Sequence, residues 1–168
     1  MTRIIGIDPG INGAISLIDT VACTLAVTDM PLETGVGGKN SVSATGVARI
    51  FEAAGADYTF IELVTSSPQM GVTSAFSFGR SLGILEGAAA SRTMLSKPRP
   101  QDWKAKTITP KDKDQARGRA QQLFPCAYDL FKLKKHDGRA ESALIAFYGT
   151  MVIGQSPTKA LTLVDFPS

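Results

Sequence analysis

Asp8 closes the apolar run Arg3-Ile4-Ile5-Gly6-Ile7 and opens the turn Asp8-Pro9-Gly10-Ile11-Asn12-Gly13, so an acid emerges from a strand whose other residues favour burial. Desolvating a carboxylate is costly, and an acid placed there is either a turn former or a ligand for a cation. Glu62 repeats the situation after Asp57-Tyr58-Thr59-Phe60-Ile61, and a glutamate rarely ends an apolar strand merely to cap a turn. Asp137 and Glu141 lie four residues apart, which on a helix puts both carboxylates on one face, about 6 Å apart along the axis. Acids in a solvated first turn are favoured by the helix dipole. The same face, however, continues as Leu144, Ile145 and Tyr148, which turns the pair toward the buried side and calls for a counter-cation.

Oxygen donors from two strand ends and one helix, without a soft ligand, suit Mg²⁺ or Mn²⁺ better than zinc. Two such ions roughly 3.5 to 4 Å apart can hold the attacking water and the leaving oxygen of a phosphodiester in line, which is two-metal hydrolysis. Rival chemistries are weaker. A Ser/His/Asp triad would have to use the one histidine, His136, and no Gly-x-Ser-x-Gly elbow accompanies it. Beside Asp137, His136 reads as a support for that acid, a phosphate contact or a plain surface residue. Cys23 and Cys126 form no disulfide framework and, with one histidine, no zinc set; Cys126 is expected in the core and the compartment is expected to be reducing and cytoplasmic.

The positioning elements follow from periodicity. Arg3 to Ile7 and Gly13 to Ile18 read as a hairpin, Cys23 to Met30 as a third strand, and 33–42 as a loop expected to be mobile. Val47, Ile50, Phe51 and Ala54 are spaced for a helix ending near Gly55, before the strand that ends at Glu62. Ser74 to Ser91 is helical in spacing, with glycines at 79, 83 and 87 that leave one face flat for close approach, either to the domain's own sheet or to a partner subunit. Thr93 to Lys97 reads as a strand, and Pro98 to Lys104 as an ordered turn, marked by Trp103, into a short helix. Thr109-Pro110 starts a helix running to about Phe124, and a last helix begins near Asp137 with the apolar face Leu144, Ile145, Tyr148, Met151 and Val152. This order predicts one α/β domain over 1–154, a mixed sheet covered by helices, followed by a tail over 155–168 without periodicity.

With 168 residues, 43% of them hydrophobic and 20% charged, the chain can bury a real core, which excludes disorder and fibrous repeats. Its longest apolar stretch, 143–154, is too short and polar to span a bilayer, and no targeting segment is seen ahead of Arg3. The formal net charge of +3 conceals a division: 97–135 carries 11 basic against 4 acidic residues, whereas 1–96 carries 5 against 8. A basic block beside acidic segments suits phosphate binding on one surface, or is simply a solvated basic face.

Taken together, Gly6-Ile7-Asp8-Pro9-Gly10 with Gly13-Ala14, Ile61-Glu62 followed by Phe76-Ser77-Phe78-Gly79-Arg80-Ser81-Leu82-Gly83, Pro100-Gln101-Asp102-Trp103-Lys104, and His136-Asp137-Gly138-Arg139-Ala140-Glu141-Ser142-Ala143-Leu144 resemble the RuvC-like Holliday junction resolvases of the ribonuclease H superfamily, closest to the phage-borne and plant chloroplast branches. The resemblance spans roughly 3–149. It implies a ribonuclease H-like mixed five-stranded sheet flanked by helices. It also implies a homodimeric, Mg²⁺-dependent endonuclease, with two ions per site and Mn²⁺ as a substitute, that resolves four-way DNA junctions by paired symmetric nicks in recombination or repair. The cytoplasm of a bacterium or phage-infected host would be its setting.

The family's catalytic, metal-binding acids carry over to Asp8, Glu62, Asp137 and Glu141. Bacterial RuvC has its last two acids three apart and both aspartate, and the Asp-Glu pair four apart here follows the chloroplast branch. The family's functional lysines fall near Lys104 and Lys113, and DNA contacts are expected from Lys104, Lys106, Lys111, Lys113, Arg117, Lys135 and His136. The dimer surface is expected on Phe76, Gly79, Leu82 and Gly83. RuvC's aromatic wedge is replaced by Thr65, which leaves Phe76 or Phe78 to take its role. Three other readings stand beside this one: a nuclease of the same fold for other branched replication or packaging intermediates, a silent DNA-binding module, and an actin-like ATPase read from residues 8–13. The silent module would need an acid to be missing, and the ATPase would need a second nucleotide-clasping domain for which the chain is too short.

Overall fold

A computed structural model describes residues 2–35, 38–65 and 69–167. Strands β1 (Arg3–Asp8), β2 (Ala14–Asp19) and β3 (Thr24–Asp29) form an antiparallel meander, followed by a small ribbon of β4 (Leu32–Thr34) and β5 (Asn40–Val42). Helix α1 (Ala44–Ala54) leads to β6 (Tyr58–Ile61), α2 (Val72–Ala90) to β7 (Met94–Ser96), and α3 (Pro100–Thr107), α4 (Lys113–Leu123), two 3-10 segments (Pro125–Phe131 and Lys134–His136) and α5 (Asp137–Val152) follow. A short β8 (Thr162–Leu163) closes the sheet, whose order is β7-β6-β1-β2-β3-β8, with β6 and β7 parallel to β1. The fold class is as expected, mixed α/β with helices on both faces.

Period-two alternation assigns the faces. Along β1, Ile5 and Ile7 pack with Val47, Phe51 and Leu85 under α1 and α2, whereas Ile4 packs on the other side with Phe60, Trp103, Phe124, Phe131 and Leu144. Gly6 lies on this second face, and a Cβ there would stand 2.2 Å from the Ala146 backbone nitrogen, so glycine is what lets α5 lie directly on β1. Ser16 on β2 and Ser142 on α5 share a buried hydroxyl hydrogen bond of 2.7 Å across the same contact.

Several boundaries differ from the sequence reading for local reasons. The loop expected over 33–42 contains the ribbon β4–β5, although residues 36–37 lie outside the described residues. Helix α4 starts not at Pro110 but after Asp112, whose carboxylate accepts the Gln115 amide hydrogen bond at 2.9 Å and caps the helix three residues further on. Cys126, expected in the core, is exposed, because the 3-10 segment turns Phe124, Ala127 and Phe131 inward instead. The tail supplies a sixth strand, β8, beyond the five expected, with Leu161 packed toward one core layer and Phe166 toward the other. Ile108 ends α3 in the left-handed region (φ 55°), which costs a residue with a Cβ roughly 1–2 kcal/mol. No helix among the described residues is long and apolar enough to cross a membrane.

Candidate active site

The alternation that buries Ile4 and Gly6 under α5 places Asp8 on the same face, and Phe60 does likewise for Glu62 on β6. Ile7 and Ile61 are paired in register, and the Glu62 amide donates to the Ile7 carbonyl at 3.2 Å, so the two acids leave adjacent parallel strands at the same edge. Helix α5 begins over that edge. Gly138 permits this, since a Cβ there would meet the Asn12 carbonyl oxygen at 2.5 Å. Asp137 thus starts the helix beside the Asp8-to-Gly13 turn, and Glu141 follows one turn inside, buried.

Each carboxylate but one is held by a neighbour. The Trp103 indole N–H donates to Glu62 Oε1 at 2.9 Å, from a ring fully buried between α3 and α5. Lys104 Nζ reaches Glu141 Oε1 at 3.2 Å and lies 5.0 Å from the centroid of the Trp103 ring. Arg117 pairs with Asp137 and with Asp114, and Lys113 Nζ stands 3.8 Å from Asp137 Oδ2. Asp8 accepts no hydrogen bond or ion pair from any described residue. Burial first, then the charges of Glu141 and Glu62, push its carboxyl up to about 7, and burial also raises Glu62 against the lowering hydrogen bond from Trp103. These shifts report three acids crowded into one weakly solvated place.

The cleft beside them has a volume of about 850 Å³ and runs from Asp8 and the 9–13 turn to Lys113, Lys134, Lys135 and Arg139, with Phe78 on its rim. Arg139 is anchored by a two-pronged ion pair to Asp29 at the end of β3, both contacts at 2.6 Å.

The residues expected at the site separate into groups. Asp8, Glu62 and Glu141 come together, with Asp137 at their margin. Lys104 and Lys113 lie against the carboxylates, and Lys135 lines the cleft. Lys106 and Lys111 are exposed outside it. Arg117 is buried and committed to two acids rather than turned to solvent. His136 is buried, its Nδ1 accepts the Leu133 amide at 3.3 Å, and desolvation holds its pKa below the usual value. On α2, the residues turned inward are Ser81, Leu85 and Ala89, while Gly79, Gly83 and Gly87 face outward with nothing within 4 Å of a Cβ; Phe76 is exposed and Leu82 is partly buried against the core. The glycine face therefore does not pack on the domain's own sheet. Sequence reasoning missed the Trp103–Glu62 bond, although a lone tryptophan next to a lysine in a Pro-bounded turn was its one visible signal. The Arg117–Asp137 and Arg139–Asp29 pairs left no signal in spacing.

The donor set fits a hard divalent cation: all oxygen, with one carboxylate uncompensated. Among the described residues no three acidic or imidazole groups stand close enough to hold one ion, and Trp103, Lys104 and Arg117 engage three of the four acids.

No protein-family model and no curated protein sequence matches the chain. Solved structures do. RuvC of T. thermophilus in complex with a Holliday junction substrate superposes with a TM-score of 0.56 at 14% identity, covering 94% of this chain and 99% of that one. A second Thermus thermophilus RuvC structure gives 0.56, 14%, 93% and 99% for the same quantities. The fowlpox virus Holliday junction resolvase is also similar, at TM-score 0.46 and 16% identity over 91% of this chain and 99% of that one. With its parallel β1–β6 pair, its meander and its central α5, the chain has the ribonuclease H-like fold seen in RuvC.

Proposed function

We propose that the chain is a structure-selective endonuclease that resolves four-way DNA junctions by paired symmetric nicks. The observation that carries this reading is that Asp8 and Glu62 leave two paired parallel strands side by side, with Asp137 and Glu141 on the helix that begins over them, beside a cleft lined by Lys113, Lys134, Lys135 and Arg139. Carboxylates held against their own repulsion next to a basic cleft suit a metal-assisted attack on a phosphodiester. The likeness to a RuvC bound to a Holliday junction supports the choice of substrate.

Asp8, Glu62, Asp137 and Glu141 would hold Mg²⁺, with Mn²⁺ as a substitute. Two bound ions supply activation of the attacking water and stabilisation of the leaving oxygen. The remaining work belongs to the chain. Trp103 fixes the direction of the Glu62 carboxylate, Lys104 and Lys113 balance Glu141 and Asp137, and Lys134 and Lys135 offer exposed ammonium groups to phosphates along the cleft. Lys106 and Lys111 extend the basic surface toward the junction arms, so binding is strongly salt-dependent and led by shape. Two nicks require two sites, and we assign the dimer contact to the outward face of α2, with Phe76, Gly79 and Gly83, together with the partly buried Leu82 at its border. We assign the nuclease domain to residues 1–154, with β8 of the 155–168 tail adding a strand to its sheet.

The test is a cleavage panel of four-way junction, flap, Y-fork and duplex with Mg²⁺, nick positions mapped and EDTA as control. Two symmetry-related nicks in the junction, lost in EDTA, are expected. Preferential cutting of flap or fork would instead identify a nuclease for other branched replication or packaging intermediates, and equal cutting of duplex would overturn both.

A further inference from the structure

We propose that Ile108, at the turn between α3 and α4, is the residue this protein presses into a base step of bound DNA. The inference rests on the reading of the chain as a junction nuclease and adds a contact that reading does not contain.

Among the described residues, two other than glycine have positive φ, Cys23 and Ile108, both at 55°. Cys23 is buried, so packing compensates its conformation, whereas Ile108 is 75% exposed and its side chain gains nothing from the core. A β-branched residue in that region is an outlier. Ile108 ends α3 where glycine is the usual choice: the Thr109 amide donates to the Lys104 carbonyl at 2.8 Å and the Ile108 amide to Ala105 at 3.2 Å, the pattern of a left-handed helix end.

The turn is clamped from behind. Thr107 and Thr109 are buried, and their hydroxyls lie 2.8 Å apart. The Thr107 hydroxyl donates to the Trp103 carbonyl at 2.8 Å, and Arg119 Nε donates to the Thr107 carbonyl at 3.0 Å. Held this way, the backbone keeps the Ile108 side chain out in water.

Its surroundings indicate what it would meet. Ile108 follows Lys104, whose ammonium reaches Glu141, by four residues or about one helical turn. Lys106 and Lys111, both exposed, flank it. An exposed apolar side chain with exposed lysines two residues before and three residues after it in the chain suits a duplex end or junction centre, with the lysines on phosphates and the aliphatic group between two partly unstacked bases. Strain kept at an exposed position, at the end of the helix that supplies Trp103 to Glu62 and Lys104 to Glu141, is the pattern expected of a group retained for binding rather than folding.

The experiment uses the full chain carrying Asp8→Asn, so that DNA stays whole, and a four-way junction with 2-aminopurine beside the crossover. With Ile108 present, binding should raise the probe's fluorescence as its base unstacks. Ile108→Gly and Ile108→Asn both tolerate the left-handed backbone and should melt at an equal or higher Tm. They should lower the fluorescence gain about fivefold or more while junction affinity changes less than about threefold, because phosphate contacts dominate it. Ile108→Leu should keep most of the gain. Undiminished fluorescence in the Gly and Asn variants, with junction binding intact, would overturn this inference alone. A clear fall in Tm in both would assign Ile108 to the fold and overturn it as well. A parent protein with no preference for junction over duplex would overturn the nuclease reading and this inference with it.

Discussion

At the amino-terminal end of β1, Asp19 on the neighbouring strand is ringed by donors: Arg3 Nε at 3.0 Å and the amides of Ala22 and Val21 at 2.8 and 3.0 Å. Burial alone would raise its carboxyl, but the Ala22 amide, Arg3 and the Val21 amide outweigh it and hold the group below its usual range. At the carboxyl-terminal end of the same strand, Asp8 has no such partner and faces Glu141 and Glu62, so burial and repulsion push it up to about 7. Two aspartates bordering one β-strand thus have opposite electrostatics. The first is a compensated charge that ties strand to strand, and the second is a carboxyl without a hydrogen-bond donor, whose burial and acidic neighbours outweigh the lowering by Lys113 and Lys104, as a site awaiting a cation would require.

The comparison can be broken most sharply at Asp8. Asp8→Asn should lower junction cleavage by about 10³-fold or more while leaving junction affinity intact, measured by single-turnover cleavage and gel shift. If that variant cut at a normal rate, the metal-ligand assignment would fail. A pH scan sharpens the same contrast. Because Asp8 has a folded pKa above its unfolded value, the folded chain binds more protons between about pH 4 and 7. Metal-free stability should therefore fall as pH rises through that window, by on the order of a few kcal/mol. Thermal melts at pH 5 and 8 check this; Asp8→Asn should flatten the profile, and Mg²⁺ should restore stability at the higher pH.

Asp19→Asn should do the reverse of Asp8→Asn, costing about 2 kcal/mol and a fall in Tm of roughly 4–8 °C, with cleavage per folded molecule unchanged. An effect on cleavage rather than on Tm would erase the distinction between the two ends. The smallest effect belongs to Trp103→Phe, which keeps an aromatic ring in the core but removes the donor to Glu62 and part of the packed volume. It should slow cleavage about tenfold and cost about 1 kcal/mol, read from the Mg²⁺ dependence of the rate and from a melt.

Much of this was legible in the residues. Asp8 and Glu62 declared themselves because each is an acid at the end of an apolar strand, where desolvating a carboxylate is costly unless a cation answers it. Asp137 and Glu141 did so because helical spacing carries them onto the face of Leu144. The basic block was visible by counting, but its parts were not distinguishable: Lys135 lines the cleft, Lys104 and Lys113 serve acids, and Arg117 is buried between Asp114 and Asp137. Each of those pairings joins residues from different elements or depends on which rotamer the packing allows. Cys126 was misjudged because composition around a proline does not specify which residues a 3-10 turn aims inward. The glycines of α2 left two partners open, and their outward direction depends on Leu85 and Ala89 having taken the core side.

By itself the sequence determined the main strands and helices and singled out four carboxylates as candidates, since these readings follow from local periodicity and from the cost of burying charge. The tertiary structure alone decided which cation or donor answers each acid, that Asp8 is left without one, and that Ile108 is held out at the end of α3. Those outcomes depend on the docking of α3, α4 and α5 onto β1 and β6, through contacts as close as Gly6 against Ala146, and no spacing along the chain encodes them.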